Sequence, residues 1–215
     1  RAELGLGAGD ILVGIVGRLT EIKNHELFLR SAALFKSKFA KPGSSVRFVI
    51  IGDGALRNSL EQQADSLGVS DDVIFTGSRR DLDNVYPALD IVALTSRNEG
   101  TPLTLIEAMA NARPVISTAV GGVVDLLGNP VGTGSGSDRS SFTLCERGIS
   151  VSPDDADGFA AGLARFVEDA TLRRETGARG LQFVTRQYSK ERLLKDIEAL
   201  YRQLLQGSPS ASKGS

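Results

Sequence analysis

The chain has 215 residues, enough for one large domain or two small ones with a sizeable core. Hydrophobic residues make up 41% of it and charged residues 24%, which is ordinary for a soluble globular protein. The formal net charge of −1 argues against nucleic acid or an anionic membrane as the main partner, and no apolar run approaches the roughly 20 residues that span a bilayer. A single cysteine, Cys145, excludes an internal disulfide framework and fits a reducing compartment, so we expect a cytoplasmic protein.

Strand-like apolar runs alternate with helical periods in the first part of the chain. The predicted strands are residues 11–17, 46–52, 73–77, 90–96 and 114–118, and the predicted helices between them are residues 24–39, 56–67, 81–89 and 103–111. Valine and isoleucine fill the strands without clean alternation, as in parallel strands that are covered on both faces. This order predicts a Rossmann-like α/β fold with a doubly wound parallel sheet.

The pattern changes after the fifth predicted strand. Residues 128–141 are rich in glycine and serine, and we predict a flexible loop or insertion there. A last pair of short strands is predicted at 142–145 and 148–152. Helices are then predicted at about 154–168, 171–186 and 189–206. The predicted domain therefore covers residues 1–206, and residues 207–215 are predicted to form a disordered tail.

Loops that leave the carboxyl ends of parallel strands share one edge of the sheet, where ligands bind. Four polar stretches leave predicted strands in this way, at residues 17–24, 52–57, 77–81 and 96–103. In the first of them, Arg18 and Lys23 precede a helix, and two cations beside exposed helix amides form a site for a diphosphate. The alternative is that both are solvated charges at a helix start.

The other loops carry weaker signals. The Gly-Asp-Gly sequence at 52–54 is either a tight turn or a turn in which Asp53 caps the next helix. A cation of the Arg79-Arg80 pair could stack on or lie beside a base, but solvated surface explains the pair equally well. His25, the only histidine, is interpreted as a packing or capping residue rather than a general base. No metal-ligand cluster is visible, so no metal is expected.

The segment SRNEGTPLTLIEAMA, residues 96–110, starts a helix abruptly after a turn. Pro102 suits the first helical turn and Gly100 lets the backbone approach a ligand, so free first-turn amides can meet an anion or hydroxyls. Glu99 lies just outside the helix, where a carboxylate can accept hydrogen bonds from sugar hydroxyls. Glu107, inside the helix, is placed to accept from the two vicinal hydroxyls of a ribose. The alternative is that it belongs to the wet face of an amphipathic helix.

Taken in order, the motifs resemble the retaining GT-B glycosyltransferases of family 4, also called glycosyltransferase group 1. The resemblance rests on Gly17-Arg18 with Lys23, VIIGDG, VIFTG, and Glu99-Gly-x-Pro-x4-Glu107-Ala-Met-Ala followed by Arg-Pro-Val. It covers residues 10–125 closely. That family has two Rossmann-like domains that face a cleft, and this chain is similar to the C-terminal, donor-binding one. The resemblance implies that an N-terminal domain is absent here, and we expect a chain that begins with Arg1 to be cut from a longer protein.

The resemblance also implies site residues. Catalytic roles are implied for Arg18, Lys23 and Glu99. The two cations, Arg18 and Lys23, would hold the donor diphosphate and stabilise the leaving nucleotide. The implied donor-binding residues are Gly17, Gly52, Gly54, Ser78, Arg79, Gly100, Thr101, Pro102, Leu103, Thr104 and Glu107. Of these, Glu107 would bind the ribose, and the backbone around Ser78 and Arg79 would meet the base. No metal or other cofactor is implied, and any membrane contact would be made by the absent N-terminal half.

The predicted function is therefore to bind a nucleotide-diphosphate sugar, such as a UDP or GDP sugar, and to transfer a hexosyl-type group to an unknown acceptor. Three alternatives stay open. A nucleotide-sugar 2-epimerase shares the architecture but lacks the Glu-x7-Glu pattern. A nicotinamide dinucleotide domain needs the Gly-x-Gly-x-x-Gly that is missing from GIVGRLTE. The third is a non-catalytic module that binds a nucleotide or only a partner domain.

Two features depart from the family pattern, and the last predicted helix has an apolar side that needs a packing partner. Asn111-Ala112-Arg113 stands where the family commonly has a glycine, so the geometry of the helix exit is open. The 128–141 segment has no role that we can assign. The helix at 189–206 has one apolar stripe, which we expect to pack on this domain or on its missing mate rather than on a membrane.

Overall fold

The computed structural model describes residues 1–41, 45–135 and 141–206. The strands are β1 (Ile11–Val16), β2 (Val46–Ile51), β3 (Val73–Gly77), β4 (Ile91–Leu94), β5 (Val115–Thr118), β6 (Pro130–Ser135), β7 (Ser141–Cys145) and β8 (Gly148–Val151). The helices are α1 (His25–Lys38), α2 (Arg57–Ser66), α3 (Leu82–Ala88), α4 (Leu103–Ala110), α5 (Val123–Leu127), α6 (Ala156–Glu168), α7 (Ala170–Gln187) and α8 (Lys190–Gln206). The tail predicted at 207–215 lies outside the described residues.

Within the described ranges, one eight-stranded sheet has the order β3-β2-β1-β4-β5-β8-β7-β6. Strands β1 to β5 and β8 run parallel, and β7 runs antiparallel to both of its neighbours. The predicted doubly wound, Rossmann-like α/β fold is confirmed, with an antiparallel edge added. The chain moves outward from β1 to β3 in one direction and from β4 onward in the other. In such a sheet the ligand cleft lies at this switch, beyond the carboxyl ends of β1 and β4.

The expectation of a loop over residues 128–141 is wrong for its first part. Pro130–Ser135 forms β6, which pairs antiparallel with β7. Glycine and serine are poor strand formers, so the local composition predicts a loop. The strand forms because β7 supplies its backbone hydrogen bonds. The ring of Phe142 fills the space beside Gly134, where a Cβ would collide with it. Residues 136–140 lie outside the described part of the chain.

Each face of the sheet is covered by its own apolar core. On the first face, α1, α2 and α6 contribute Phe28, Phe35, Leu60, Phe159 and Phe166. On the second face, α3, α4, α5 and α7 contribute Tyr86, Leu105, Met109, Leu126 and Val184. Burial of one large apolar side chain contributes about 1.5–3 kcal/mol before the entropy of ordering is counted. Two covered faces explain why the central strands are apolar throughout.

The last helix, α8, differs from the others because its side chains from 190 to 205 are all exposed. Its exposed apolar residues are Leu193, Leu194, Ile197, Leu200, Tyr201, Leu204 and Leu205. We call this set the α8 stripe. Within the described residues the stripe is therefore not covered by this domain, which is one of the two packing surfaces expected for it. Among the helices in the described ranges, none has the length and apolar character needed to cross a membrane.

Candidate functional site

The loops that follow β1 and β4 bring a lysine and a glutamate into direct contact. Lys23 ends a short 3-10 turn after β1, and Glu99 lies in the loop between β4 and α4. Lys23 Nζ is 2.6 Å from Glu99 Oε1, and the two side chains are 25% and 10% exposed. Partial burial lowers the local dielectric and strengthens this attraction relative to a pair in water. The first and fourth loops therefore meet at the switch of the sheet, as the sequence predicts.

Several neighbouring groups fix the position of Glu99. The hydroxyl of Ser96, which is fully buried, donates a hydrogen bond of 2.6 Å to Glu99 Oε1. Thr118 Oγ1 donates to the Ser96 carbonyl at 2.6 Å. Gly121 has a φ of 48°, and a Cβ there would collide with the Glu99 carbonyl oxygen, which accepts from the Gly122 amide at 3.3 Å. Oε1 thus receives two donors, whereas Oε2 has no partner within the described residues and can accept one.

Arg18 lies in the same loop after β1 as Lys23, and its side chain is not engaged elsewhere. It is exposed, and its guanidinium makes no hydrogen bond or ion pair with any residue that the structure describes. The alkyl part of the Lys23 side chain packs over Gly17, and a Cβ on that glycine would lie 3.8 Å from it. The turn after β1 therefore carries one cation that is held in place and one that extends into solvent.

The turns after β1 and β2 interlock through their backbones. Gly52 has a φ of 149°, and a Cβ on it would collide with the Gly17 carbonyl oxygen. The Leu19 amide donates to the Asp53 carbonyl at 3.0 Å. Asp53 Oδ1 accepts from the next amide, that of Gly54, at 2.8 Å, and α2 begins without a side-chain cap. Of the two readings of this turn, the tight turn is therefore correct, and Asp53 does not cap α2.

Glu107 makes a tertiary hydrogen bond although its side chain lies at the surface of α4. The Tyr86 hydroxyl donates to Glu107 Oε2 at 2.6 Å. Tyr86 is only 2% exposed, and burial followed by the bond to Glu107 raises the pKa of its phenol. On the same side of α4, Thr104 Oγ1 donates to the Val16 carbonyl at 3.3 Å. A merely wet helix face does not explain these two contacts.

The start of α4 presents free backbone amides. Pro102 occupies the capping position, one residue before the first helical residue, and its carbonyl accepts from Leu105 and Ile106 at 3.0 and 3.3 Å. The two amides before Leu105, those of Leu103 and Thr104, have no partner within the described residues, and no side chain caps the helix. Gly100, Thr101 and Leu103 are exposed around it. The turn can therefore donate to an anion or to oxygen atoms of a ligand.

The loop after β3 holds the residues expected near a base. Ser78 is exposed, but the guanidinium of Arg79 donates to Asp81 at 2.7 and 2.8 Å and to Glu3 at 2.7 Å. These bonds raise the pKa of Arg79 and lower the pKa values of both carboxyl groups. Arg79 also lines a cavity of about 210 Å³ under the N-terminal segment. The Arg79 side chain is thus engaged by Asp81 and Glu3, so the backbone of this loop is the part that remains for contact with a base.

His25 is a packing residue in this structure. It is 1% exposed, and neither ring nitrogen has a hydrogen-bond partner within the described ranges. Burial, and then the charge of Lys23, lowers the pKa of His25 to about 4. A neutral, dry imidazole of this kind is not placed to act as a general base at neutral pH.

Sequence reasoning missed the residues that hold the two glutamates. Ser96 lies three positions before Glu99, and this spacing could have suggested a local hydroxyl donor. Tyr86 lies on a different helix from Glu107, and Gly121 contacts Glu99 from the loop after β5. Because these two contacts are made only by the folded chain, no local pattern reveals them.

The chain matches a known family over most of its length. The family model described as glycosyl transferases group 1 matches residues 1–183. A D-inositol 3-phosphate glycosyltransferase of Corynebacterium urealyticum is 31% identical over 211 residues, covering 95% of this chain and 46% of that protein. The lipopolysaccharide core biosynthesis mannosyltransferase LpsB of Rhizobium meliloti is 28% identical over 206 residues, covering 95% and 55%. The chain spans about half the length of these curated relatives.

Solved structures share the fold. HepE of Anabaena in complex with UDP has a TM-score of 0.79 at 22% identity, covering 94% of this chain and 51% of that one. Sucrose-phosphate synthase of Thermosynechococcus elongatus has a TM-score of 0.78 at 27% identity, covering 97% and 49%. A C-terminal domain of the group 1 protein LpcC of Francisella tularensis has a TM-score of 0.68, covering 84% and 87%. With the family match over residues 1–183, these findings show that the chain belongs to the glycosyl transferases group 1 family.

Proposed function

We propose that this chain is the donor-binding, C-terminal half of a GT-B enzyme, a retaining glycosyltransferase that moves a hexosyl-type sugar from a nucleoside diphosphate to an acceptor. The observation that carries the proposal is the contact between Lys23 and Glu99 at the switch of the sheet, beside the open start of α4. Family membership supports it, as do the UDP and UDP-glucose complexes of the structurally similar HepE.

In this proposal Arg18 and Lys23 bind the donor diphosphate. When the bond between sugar and diphosphate breaks, negative charge grows on the leaving nucleotide, and cations that are already in place stabilise it. A phosphate oxygen would compete with Glu99 for Lys23 Nζ, whereas the guanidinium of Arg18 needs no such exchange. These two side chains supply the positive charge that a metal supplies in other transferases, so no metal is required.

The remaining expected residues surround the same edge. Glu99 would accept a hydrogen bond from a sugar hydroxyl through Oε2. The backbone amides of Gly100, Thr101, Leu103 and Thr104 would donate to the sugar and phosphates, and Pro102, which has no amide hydrogen, would shape the turn. Glu107 would accept from the ribose, and the backbone of Ser78 and Arg79 would meet the base. The glycines at 52 and 54 let the turn after β2 lie directly against the turn after β1. With Gly17, their backbone would lie close to the bound donor.

We further propose that the acceptor site lies on an N-terminal domain that faces this one, and that the α8 stripe packs on that domain. Two observations support this: the curated relatives are about twice as long, and the stripe is exposed on the described chain. The full protein would then be cytoplasmic, with any membrane contact made through the N-terminal half.

Calorimetric titration of the 215-residue chain with UDP, GDP, ADP and NAD tests the proposal. We expect one nucleoside diphosphate to bind weakly, NAD not to bind, and no sugar transfer to occur. Failure of all three diphosphates, or tighter binding of NAD, would overturn the assignment of the site. Sugar transfer by this chain alone would overturn the need for a second domain.

A further inference from the structure

We infer that Tyr86 is a positioning residue that fixes the carboxylate of Glu107, so that Oε1 points to the vicinal hydroxyls of a nucleoside ribose. The inference rests on the proposed function, because it takes Glu107 as the ribose-binding group. Neither the sequence motifs nor the family resemblance points to Tyr86. What points to it is a single hydrogen bond of 2.6 Å between α3 and α4.

The bond has a fixed end and a movable end. Tyr86 is 2% exposed and packed in the core on the second face of the sheet, so its hydroxyl oxygen has a defined position. Glu107 is exposed, and without a partner its flexible side chain would sample several rotamers, which a ligand would have to restrict on binding. The phenol removes that freedom before any ligand arrives.

The bond also divides the work of the two carboxylate oxygens. Oε2 receives the Tyr86 proton, and Oε1 has no partner within the described ranges. A carboxylate oxygen has two lone pairs, so Oε1 keeps its full capacity to accept hydroxyl donors. One oxygen is thus an anchor and the other is open, as in Glu99, where Oε1 is anchored and Oε2 is open.

The elements that carry the pair link different parts of the expected nucleotide site. Tyr86 lies on α3, which begins directly after the loop with Ser78 and Arg79. Glu107 lies on α4, which Thr104 ties to the end of β1 through the Val16 carbonyl. Tyr86 therefore connects the side of the site assigned to the base with the carboxylate assigned to the ribose.

A structural reading assigns the bond a different purpose. A buried phenol needs an acceptor, and Glu107 could exist only to supply one. The two readings differ in what the ligand must contain. Positioning matters only for a nucleotide that has ribose hydroxyls, whereas a structural defect weakens every nucleotide.

The first experiment compares UDP with 2′,3′-dideoxy-UDP by calorimetry, or the matching pair for GDP or ADP if one of those binds better. For Tyr86→Phe we expect about fivefold weaker binding of the ribose form, because the ligand must then restrict the Glu107 side chain itself, and unchanged binding of the dideoxy form. Tyr188→Phe, which alters an exposed tyrosine after α7, is the matched control and should change neither. Equal weakening of both ligands, or no weakening of either, would overturn the positioning role.

The second experiment uses Glu107→Gln, which keeps the shape of the side chain. If Tyr86 keeps donating to this side chain, the single carbonyl of the glutamine accepts from Tyr86, and its amide NH2 then faces the ribose. We therefore expect Glu107→Gln to bind the ribose nucleotide as weakly as Glu107→Ala. Adding Tyr86→Phe frees the amide to turn, so the double variant should recover about threefold in affinity. Absence of this recovery contradicts the inference.

The failures of the two proposals can be told apart. If Glu107→Ala weakens the ribose nucleotide selectively and Tyr86→Phe does not, the ribose role stands and the positioning role falls. If Glu107→Ala binds the ribose and dideoxy nucleotides as the unchanged chain does, the ribose role is wrong and the positioning role falls with it. Thermal unfolding of each variant shows that the compared proteins are folded.

Discussion

Lys23 Nζ and Glu99 Oε1 lie 2.6 Å apart although 76 positions separate the two residues in the chain. Strands β1 and β4 are neighbours in the sheet and run parallel, so their carboxyl ends bring the two loops together. In the chain without a donor, the ammonium and the carboxylate neutralise each other. A nucleotide phosphate that binds Lys23 would therefore have to replace Glu99 as its partner. Arg18, the other cation of the same loop, needs no such exchange.

The first prediction concerns this difference between the two cations. Arg18→Ala should weaken the binding of UDP by about tenfold or more, because a charged hydrogen bond to the diphosphate is lost. Lys23→Ala should weaken the binding of UDP less, because the native lysine must first give up its ion pair with Glu99 before it can bind a phosphate. UMP, which lacks the second phosphate, should be affected less by either change. Calorimetry on both nucleotides measures this, with Lys36→Ala as the control, since Lys36 pairs with the distant Asp72. Equal losses for UMP and UDP would exclude a diphosphate role.

The second prediction concerns Gly121, whose missing side chain lets the backbone of Glu99 pass. Gly121→Ala adds a Cβ that collides with the Glu99 carbonyl oxygen, so it should displace Glu99 as well as strain a φ of 48°. Gly68→Ala is the matched control, because Gly68 has a φ of 67° and open space around its Cβ position. We expect Gly121→Ala to lower the free energy of unfolding by at least about 1 kcal/mol more than Gly68→Ala. Equal losses in denaturant titrations would show that the contact is unimportant.

The third prediction is a pH dependence that arises from His25. Its pKa is lowered from 6.5 to about 4 in the folded chain, so between these values the unfolded chain binds the proton more readily. The stabilising effect of keeping His25 neutral is complete above pH 6.5 and is lost as the pH falls towards 4, by on the order of 3 kcal/mol. His25→Leu should remove this part of the slope, whatever it does to stability at pH 7. The prediction would be contradicted if the free energy of unfolding had the same pH dependence in the native chain and in His25→Leu.

The fourth prediction concerns Ala112, which lies in the turn that follows α4. Ala112 has a φ of 54°, a left-handed conformation that costs a residue with a Cβ roughly 1–2 kcal/mol. The helix exit is thus the one a glycine favours, and the chain adopts it with alanine. Ala112→Gly should raise the free energy of unfolding by about 0.5–1 kcal/mol after the greater entropy of the unfolded glycine is subtracted. Chemical denaturation would measure the change, and a loss of stability would contradict it.

The sequence predicts the parallel core well because strand and helix periods are local properties. Strands β1 to β5 were placed by runs of valine and isoleucine, and the convergence of their carboxyl-end loops followed from the topology. The meeting of Lys23 with Glu99 is therefore predictable in outline. The roles assigned to these residues, and to Gly52, Ser78 and Glu107, stay predictions until a ligand is tested.

What the sequence does not reveal depends on contacts between distant elements. Tyr86 looks like an ordinary core residue of an amphipathic helix, and only the packing of α3 against α4 shows its bond to Glu107. The ion pair of Arg79 with Glu3 depends on where the N-terminal segment lies. Neither contact has a spacing rule, because both are set by tertiary packing.

The strand that the composition concealed has one more consequence. β6 is the last strand on its side of the sheet, so one row of its backbone groups has no partner strand within the described sheet. Such an exposed edge is a template on which another chain can pair and start aggregation. Pro130 lacks an amide hydrogen, and glycines at 132 and 134 offer no side chains to a second strand. The proline and glycines that make the sequence of β6 look like a loop therefore also make this edge a poor surface for unwanted self-association.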